Sequence, residues 1–174
     1  IDADEALDET LQQHLKTTSF SSTSAYRIKR KNFLGKKYLK WGEWGNDYPI
    51  RLFNKKNVNW NDDPVHEQLA LPPEIKIETL HGSLLHYTMK DTFEYSQKMI
   101  AYAMLNAQKY YKQQKKASWL KRYLAPPFSF FKHYFLQLGF LDGWEGILSA
   151  RMTAFYTFLK YSLLHDLWQK EANI

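Results

Sequence analysis

The spacing of apolar residues changes along this chain, from alternation in its first half to helical spacing in its second. Residues 25–30 and 75–80 alternate in the way that is typical of half-exposed strands. From about Asp91 the apolar residues recur every three or four positions, and residues 144–168 repeat that helical pattern. We therefore predict strands in the first half of the chain and long helices in the second.

The same change of period predicts two parts, residues 1–89 and residues 90–174. The second part is helical and amphipathic, and its segment from Lys109 to Tyr123 interleaves basic and aromatic side chains. Such a segment suits an anionic membrane face, where cations meet headgroups and rings lie at the interface. A solvated helix face is the other interpretation of this pattern.

Composition limits the classes of function that the chain can serve. It has no Cys among its 174 residues, which excludes disulfides, a zinc ribbon and a thiol nucleophile. Any metal must therefore be held by carboxylates or imidazoles. Aromatic residues make up 17% of the chain, which argues against disorder, and a net charge of +6 points to an anionic partner. Nucleic acid, a phosphorylated small molecule and an acidic membrane all remain open at this point.

Three groups of residues carry candidate chemistry, and each has a plain structural alternative. Asp2 and Asp4 are spaced to direct two carboxylates toward a hard cation, although Asp before a helix is commonly an N-cap. His66 and Glu67 lie in a turn-rich segment, where they serve either as ligand and general base or as surface residues. His86 lies in an apolar strand, where a hydrogen-bonded core histidine is the alternative to a ligand.

Taken in order along the chain, these residues and their neighbours resemble the second half of bacterial family 2 glycosyltransferases. The likeness is strongest to the branch that builds the lipopolysaccharide core. It rests on the segments IDADE, RKNFLG, YPIRLF, DPVHE, LLHY and LGFLDGWEG. Together they cover nearly the whole chain.

The resemblance implies an α/β fold, the acceptor-side half of a GT-A glycosyltransferase, with a helical, amphipathic C-terminal region. The chain would begin at the family's Asp-x-Asp motif, so we expect the isolated piece to lack activity. The resemblance makes Asp4 a ligand of Mn²⁺ or Mg²⁺ together with His86, and it places Asp2 nearer the nucleotide ribose. Glu67 takes the position of the catalytic carboxylate, and His66 replaces the acid that usually precedes it.

The resemblance also implies substrates and a place of action. The loop from Gly42 to Gly45 would contact the donor and acceptor sugars, and the rings of Trp41 and Trp44 are chemically suited to stack on them. Arg51, or a lysine of the run from Lys36 to Lys40, is suited to charge-assisted bonds with phosphate. The expected reaction is an inverting transfer from a nucleotide-sugar donor to a lipid-linked glycan acceptor. We expect it at the inner, cytoplasmic face of the cytoplasmic membrane, in peripheral contact with anionic lipid and without nucleic acid.

A different class of function also fits the charge of the chain. A non-catalytic basic module would bind nucleic acid or an anionic membrane through its Lys and Tyr clusters. Such a module has no need of the acids at Asp2 and Asp4 or of the His66 and Glu67 pair. The chain also carries no recognised nucleic-acid-binding motif.

Overall fold

The computed structural model describes residues 1–60 and 69–172 of the chain, and the α/β class predicted from the sequence is confirmed. The strands are β1 (Glu5–Leu7), β2 (Ser24–Leu34), β3 (Lys37–Leu39), β4 (Ile50–Phe53), β5 (Asn59–Trp60), β6 (Leu69–Ala70) and β7 (Lys76–Met89). The α-helices are α1 (Glu9–Thr17), α2 (Thr92–Lys112), α3 (Trp119–Tyr123), α4 (Ala125–Phe131) and α5 (Trp144–Ala172). Short 3₁₀ turns cover Gly42–Trp44 and Gly139–Asp142, and a π turn covers Lys132–Leu136.

The chain divides into two compact units. The first unit comprises residues 1–33 and 46–88, and the second comprises residues 34–45 and 89–174. These units are defined by contacts, so the domain division expected at residue 89 stays a prediction.

The first unit is a sheet with one helix packed on it. Strand β7 lies between β1 and β2, and β4 pairs with β2 in antiparallel orientation. Helix α1 contributes Leu11 to an apolar core with strand residues such as Tyr26 and Leu84, all of them buried. Strands β5 and β6 form a separate antiparallel pair.

Asp4, for which an N-cap was the structural alternative above, does not begin a helix. Residues Glu5–Leu7 instead pair with β7, because the extended segment gains ladder hydrogen bonds there. Helix α1 starts at Glu9. The carboxylate of Asp8, the residue before it, accepts a hydrogen bond from the backbone N–H of Leu11 at 2.9 Å. Asp8 is therefore the N-cap, and the capping alternative for Asp4 is wrong.

Strand β7 runs without a break, so the strand predicted at residues 75–80 and the strand that contains His86 are one element. Its interior contains Gly82, whose φ of +98° is one that L side chains rarely adopt. A Cβ at this position would lie 2.3 Å from the backbone nitrogen of Leu11. The missing side chain thus lets α1 approach the sheet at backbone distance.

Strand β4 contains an irregularity that matters for the candidate site. Tyr26 lies opposite Leu52 and Arg27 lies opposite Ile50, so Arg51 is an extra residue in the ladder. Bulges of this kind redirect a side chain relative to a regular strand. Leu52 packs against the core of the first unit, while Arg51 bonds a carboxylate described below.

The second unit is built around α5, which packs against both α2 and α4. This position explains why α5 is apolar around most of its circumference, since neighbours cover it on more than one side. A core cluster joins Tyr95 and Met99 of α2 to Leu148 of α5. Within residues 1–60 and 69–172, none of the helices combines the length and apolar character needed to cross a bilayer.

Candidate functional site

A network of charged side chains in the first unit is centred on Glu5. Arg30 Nη1 lies 3.2 Å and Arg51 Nη2 lies 2.8 Å from the same oxygen, Glu5 Oε1. Arg51 Nη2 also lies 2.8 Å from Asp2 Oδ2. The Glu5 side chain is 0% exposed, so it is a buried carboxylate that balances two arginines.

The network continues from Arg30 through two polar residues to a histidine. Arg30 Nε donates to Asp47 Oδ2 at 2.7 Å, and Asn32 Nδ2 donates to the same oxygen at 2.9 Å. Asn32 is fully buried, and its Oδ1 lies 2.6 Å from His86 Nδ1. Because the amide of Asn32 must turn its NH₂ toward the carboxylate, its oxygen must face the histidine.

These contacts fix the tautomer of His86. Since Asn32 Oδ1 can only accept, His86 Nδ1 carries a hydrogen and donates it. In the neutral imidazole the other nitrogen, Nε2, then holds a lone pair. That lone pair lies 3.3 Å from Asp4 Oδ2, so two electron-rich atoms face each other across a short gap.

The pKa values follow from this environment. Burial lowers the pKa of His86, as does the Arg30 charge, and together they outweigh the nearby carboxylates, which favours the neutral ring. Burial alone would raise the pKa of Glu5, but hydrogen bonds from Arg51 and Arg30 and the backbone of Asp2 lower it overall. Burial would likewise lower the pKa of Arg30, yet its bonds to Asp47 and Glu5 raise it. These shifts favour the charged forms of Glu5 and Arg30 and the neutral form of His86.

The strand pattern explains why these residues meet. Arg30 and Asn32 follow Tyr26 and Ile28 at two-residue spacing along β2, so all four lie on one face of the sheet. In the β1 and β7 pair, Glu5 lies directly opposite His86. The network thus lies on the same face of the sheet as the apolar residues that α1 covers.

The gap between Asp4 and His86 is chemically suited to a cation. Two ligands of an octahedral ion, each about 2.1 Å from it, lie roughly 3 Å apart, which is near the observed separation. The hydrogen bond from Nδ1 to Asn32 is the kind of contact that orients metal-binding histidines. Within the described parts of the chain, however, no group of three or more acidic or histidine side chains could hold a metal ion. Further ligands would have to come from elsewhere.

Four of the residues predicted from the sequence therefore meet in the first unit. Asp4 contacts His86, and Asp2 contacts Arg51, with Glu5 linking the two arginines of the network. Nη2 of Arg51 already pairs with two carboxylates, so much of its charge is offset. His66 and Glu67 lie outside the described residues.

The predicted sugar-binding loop belongs to the second unit and is bonded within it. The backbone N–H of Trp41 donates to Asp142 Oδ2 at 2.7 Å, and Trp44 Nε1 donates to Ser149 Oγ at 3.0 Å. Gly42 begins the 3₁₀ turn and Gly45 follows it, and a Cβ at Gly45 would lie 2.4 Å from the backbone oxygen of Lys40. The turn borders a cavity of about 260 Å³ lined by Glu43, Trp44, Met99, Tyr102, Asn106, Thr153 and Tyr156.

Sequence reasoning missed four members of the network: Glu5, Arg30, Asn32 and Asp47. In the sequence, Glu5 stands among the acids of an apparent helix start, and Arg30 and Asn32 are only part of a matching segment. The two-residue spacing of Arg30 and Asn32 behind an apolar alternation was the available signal, because it places them on the core face of a strand. Asp47, in a connecting loop, gave no such signal.

Comparison with known proteins finds distant similarity to glycosyltransferases. The chain is 27% identical over 194 aligned positions to an uncharacterized glycosyltransferase of Rickettsia prowazekii, covering 100% of this chain and 63% of that protein. It is 26% identical to counterparts in Rickettsia typhi and Rickettsia bellii, covering 100% and 96% of this chain and 63% and 60% of theirs. The chain thus spans less than two thirds of the length of these relatives. No family model and no solved structure matches it.

Proposed function

We propose that this chain is the acceptor-side part of an inverting, family 2 glycosyltransferase with a GT-A fold. It would transfer a sugar from a nucleotide-sugar donor to the lipopolysaccharide core or a related cell-surface glycan. Peripheral contact with the inner face of the cytoplasmic membrane would bring it to a lipid-linked acceptor. The observation that carries the proposal is the Asp4 and His86 pair, oriented by a buried network in a chain similar to glycosyltransferases.

Asp4 and His86 would hold the divalent ion, Mn²⁺ or Mg²⁺, that this reaction uses. Oxygen ligands with one imidazole suit these ions, and such sites are commonly completed by substrate phosphates and water. Completion by phosphate and water is compatible with a site that has only two protein ligands among the described residues. When bound, the ion would neutralise the charge of the departing diphosphate.

The residues around the pair would keep it ready for that ion. Asn32 orients the imidazole so that Nε2 faces Asp4, and Asp47 holds Asn32 in turn. Glu5 offsets the charges of Arg30 and Arg51, which would otherwise repel a cation nearby. Asp2, held by Arg51, would face the ribose of the donor.

Glu67 is the proposed general base. In an inverting transfer the acceptor hydroxyl attacks the anomeric carbon while the nucleoside diphosphate leaves, so a carboxylate must take the hydroxyl proton. His66, its neighbour, would orient that carboxylate or the acceptor. The loop of Trp41, Gly42, Trp44 and Gly45 would offer aromatic surface to the sugar rings.

The full-length protein tests the proposal through donor turnover and ion binding. We expect Glu67→Gln to lower transfer by about 100-fold or more, the usual size of a general-base contribution. Asp4→Asn should lower transfer by a similar factor and also weaken Mn²⁺ binding, followed by the electron paramagnetic resonance of the free ion. Asp166→Asn, an exposed Asp in the second unit, is the matched control and should change neither.

Wild-type turnover in both Glu67→Gln and Asp4→Asn with Mn²⁺ present would overturn these roles. Oligonucleotide binding that weakens with salt and ignores a chelator, without any sugar transfer, would favour the basic-module alternative instead.

A further inference from the structure

Residues 119–144 of the second unit expose an unusual amount of apolar surface. Helices α3 and α4 and the π turn after them contain no buried residue, although each of them contacts α5. Since their inner side rests on α5, the exposed side chains lie on the outer side. The large apolar residues exposed there are Trp119, Leu120, Tyr123, Leu124, Phe128, Phe131, Phe135, Leu136, Leu138, Phe140, Leu141 and Trp144.

The exposure is too large to be incidental. Trp119, Phe128 and Trp144 are each at least 60% exposed, and all three are large rings. Single exposed apolar residues are ordinary on soluble proteins, but a contiguous apolar surface of this kind marks an interaction site. We call residues 119–144 the aromatic surface.

The charged residues of the aromatic surface and of the segment before it are mainly cationic, and the half-buried Glu145 follows directly after it. From residue 112 to residue 144 the cationic residues are Lys112, Lys115, Lys116, Lys121, Arg122 and Lys132. The one acid in this stretch is Asp142, which is 4% exposed and accepts the backbone N–H of Trp41. An approaching surface therefore meets cations and no accessible carboxylate of this stretch, which complements an anionic partner.

The mixture of rings and cations favours lipid over protein as that partner. Trp and Tyr prefer the boundary between headgroups and acyl chains, and lysine stems can lie on apolar surface with their charge in water. Arg122 lies 5.8 Å from the ring centroid of Tyr123, so a cation and a ring are adjacent at one end of the surface. A protein partner would require complementary apolar shape but not this excess of cations.

We propose that the aromatic surface docks onto an anionic phospholipid bilayer, with its rings at the headgroup boundary and its lysines on lipid phosphates. The proposal deepens the proposed function by naming how the enzyme would reach a lipid-linked acceptor, and it rests on that function only for this purpose. Because lipid binding is measured without turnover, its failure is distinct from failure of sugar transfer.

Vesicle binding by the full chain tests the proposal. Binding to phosphatidylglycerol and phosphatidylcholine mixtures is compared with binding to phosphatidylcholine alone, by co-sedimentation and by quenching of Trp fluorescence with brominated lipid. The variant Trp119→Ser/Phe128→Ser/Phe131→Ser should bind anionic vesicles at least tenfold more weakly. Phe93→Ser/Tyr102→Ser removes two comparably exposed rings of α2 and is the matched control, with binding unchanged.

Charge removal gives a second, milder readout that does not depend on the packing of rings. Lys121→Gln and Lys132→Gln are exposed substitutions, and each should weaken binding to anionic vesicles roughly fivefold, the factor for one lysine near such a surface. Binding to phosphatidylcholine should not change with either substitution. Circular dichroism checks that each variant keeps its helices.

Several outcomes would overturn the proposal. Equal binding of the wild type to anionic and neutral vesicles would show that charge is not needed. An equal loss of vesicle binding in the ring variant and the α2 control would show that the aromatic surface is not the docking site. A wild-type dimer that becomes monomeric in the ring variant, without vesicle binding, would identify a second copy as the occupant. Displacement of the chain from vesicles by an oligonucleotide, with tighter binding to the oligonucleotide, would identify nucleic acid instead.

Discussion

The two units of this protein are stabilised by different interactions. In the first unit, Glu5 joins Arg30 and Arg51 in a chain of ion pairs and hydrogen bonds that extends to His86. The second unit relies on apolar contacts among its helices, and it contains most of the exposed large apolar side chains of the described chain. Its described ion pair, Glu94 with Lys98, links neighbouring turns of one helix.

Because of this difference, the two units should be destabilised by different kinds of substitution. Removing one partner of a buried charge network leaves another charge without compensation, so the first unit should be sensitive to charge at constant volume. A helical core loses stability mainly through lost volume, because neighbouring side chains refill a cavity only in part. Substitutions that change charge or volume alone should therefore distinguish the units.

The largest effect is expected from loss of volume in the second unit. Tyr95 is fully buried, and its hydroxyl lies 3.3 Å from both Trp44 Nε1 and Ser149 Oγ. Tyr95→Ala should lower the free energy of unfolding by about 4 kcal/mol, the usual cost of truncating a buried aromatic residue. Tyr102→Ala, at a half-exposed position of the same helix, should cost less than about 1 kcal/mol.

Urea unfolding followed by regional hydrogen exchange is the measurement for Tyr95→Ala. Faster exchange should appear first in α2 and α5. A cost equal to that of Tyr102→Ala would contradict a volume-dependent helical core.

A somewhat smaller effect is expected from loss of charge in the first unit. Glu5→Gln keeps the shape of the side chain but leaves Arg30 and Arg51 without the buried carboxylate they share. Breaking a buried pair costs about 3 to 5 kcal/mol, and both arginines are 21% exposed, so we expect about 3 kcal/mol. Glu74→Gln makes the same chemical change at an exposed position and should stay within about 0.5 kcal/mol.

Hydrogen exchange in β1, β2 and β7 reports the effect of Glu5→Gln. Exchange that rises equally in α2 and α5 would show that the units do not respond separately.

The smallest effect is expected at Asp8 and depends on pH. Burial would raise the pKa of Asp8, but hydrogen bonds from the backbone of Ser83 and Leu11 and the charge of Lys31 lower it below 3.8. A lowered pKa in the folded state stabilises the protein above the unfolded value, and this contribution disappears as pH falls through the folded value. Asp8→Asn keeps an oxygen that can cap the helix but loses the negative charge at its N-terminus. It should therefore cost up to about 1 kcal/mol at pH 6 and progressively less below about pH 3.8.

Paired urea titrations of wild type and Asp8→Asn between pH 6 and pH 3 measure this difference. A gap that widens on acidification would contradict a lowered pKa for Asp8 in the folded protein.

The sequence predicts much of the architecture and part of the candidate site. The change of period near Asp91 correctly locates the start of α2, and the helical pattern over residues 144–168 correctly locates α5. Residue type and order single out Asp4 and His86 as site residues, and the two lie in contact. Their roles as metal ligands stay predictions, as do the roles of His66 and Glu67.

What the sequence could not predict depends on pairing between distant segments. The acids before α1 are typical of a helix start, yet Glu5–Leu7 pairs with a strand almost eighty residues later in the chain. Glu5 becomes the centre of a network only through that pairing, since it faces Arg30 of one strand and Arg51 of another. Local propensity carries no information about such partners.

The extra residue in β4 has a consequence for how this chain tolerates insertions and deletions. Leu52 lies opposite Tyr26 and Ile50 lies opposite Arg27, so Arg51 between them has no partner residue in β2. This bulge allows Arg51 to reach Glu5. Removing a single residue from β4 would restore a regular ladder and leave no bulge to turn Arg51 toward Glu5. The length of β4 should therefore matter more for folding than the identity of its residues. A deletion scan should find that removing one residue here destabilises the protein.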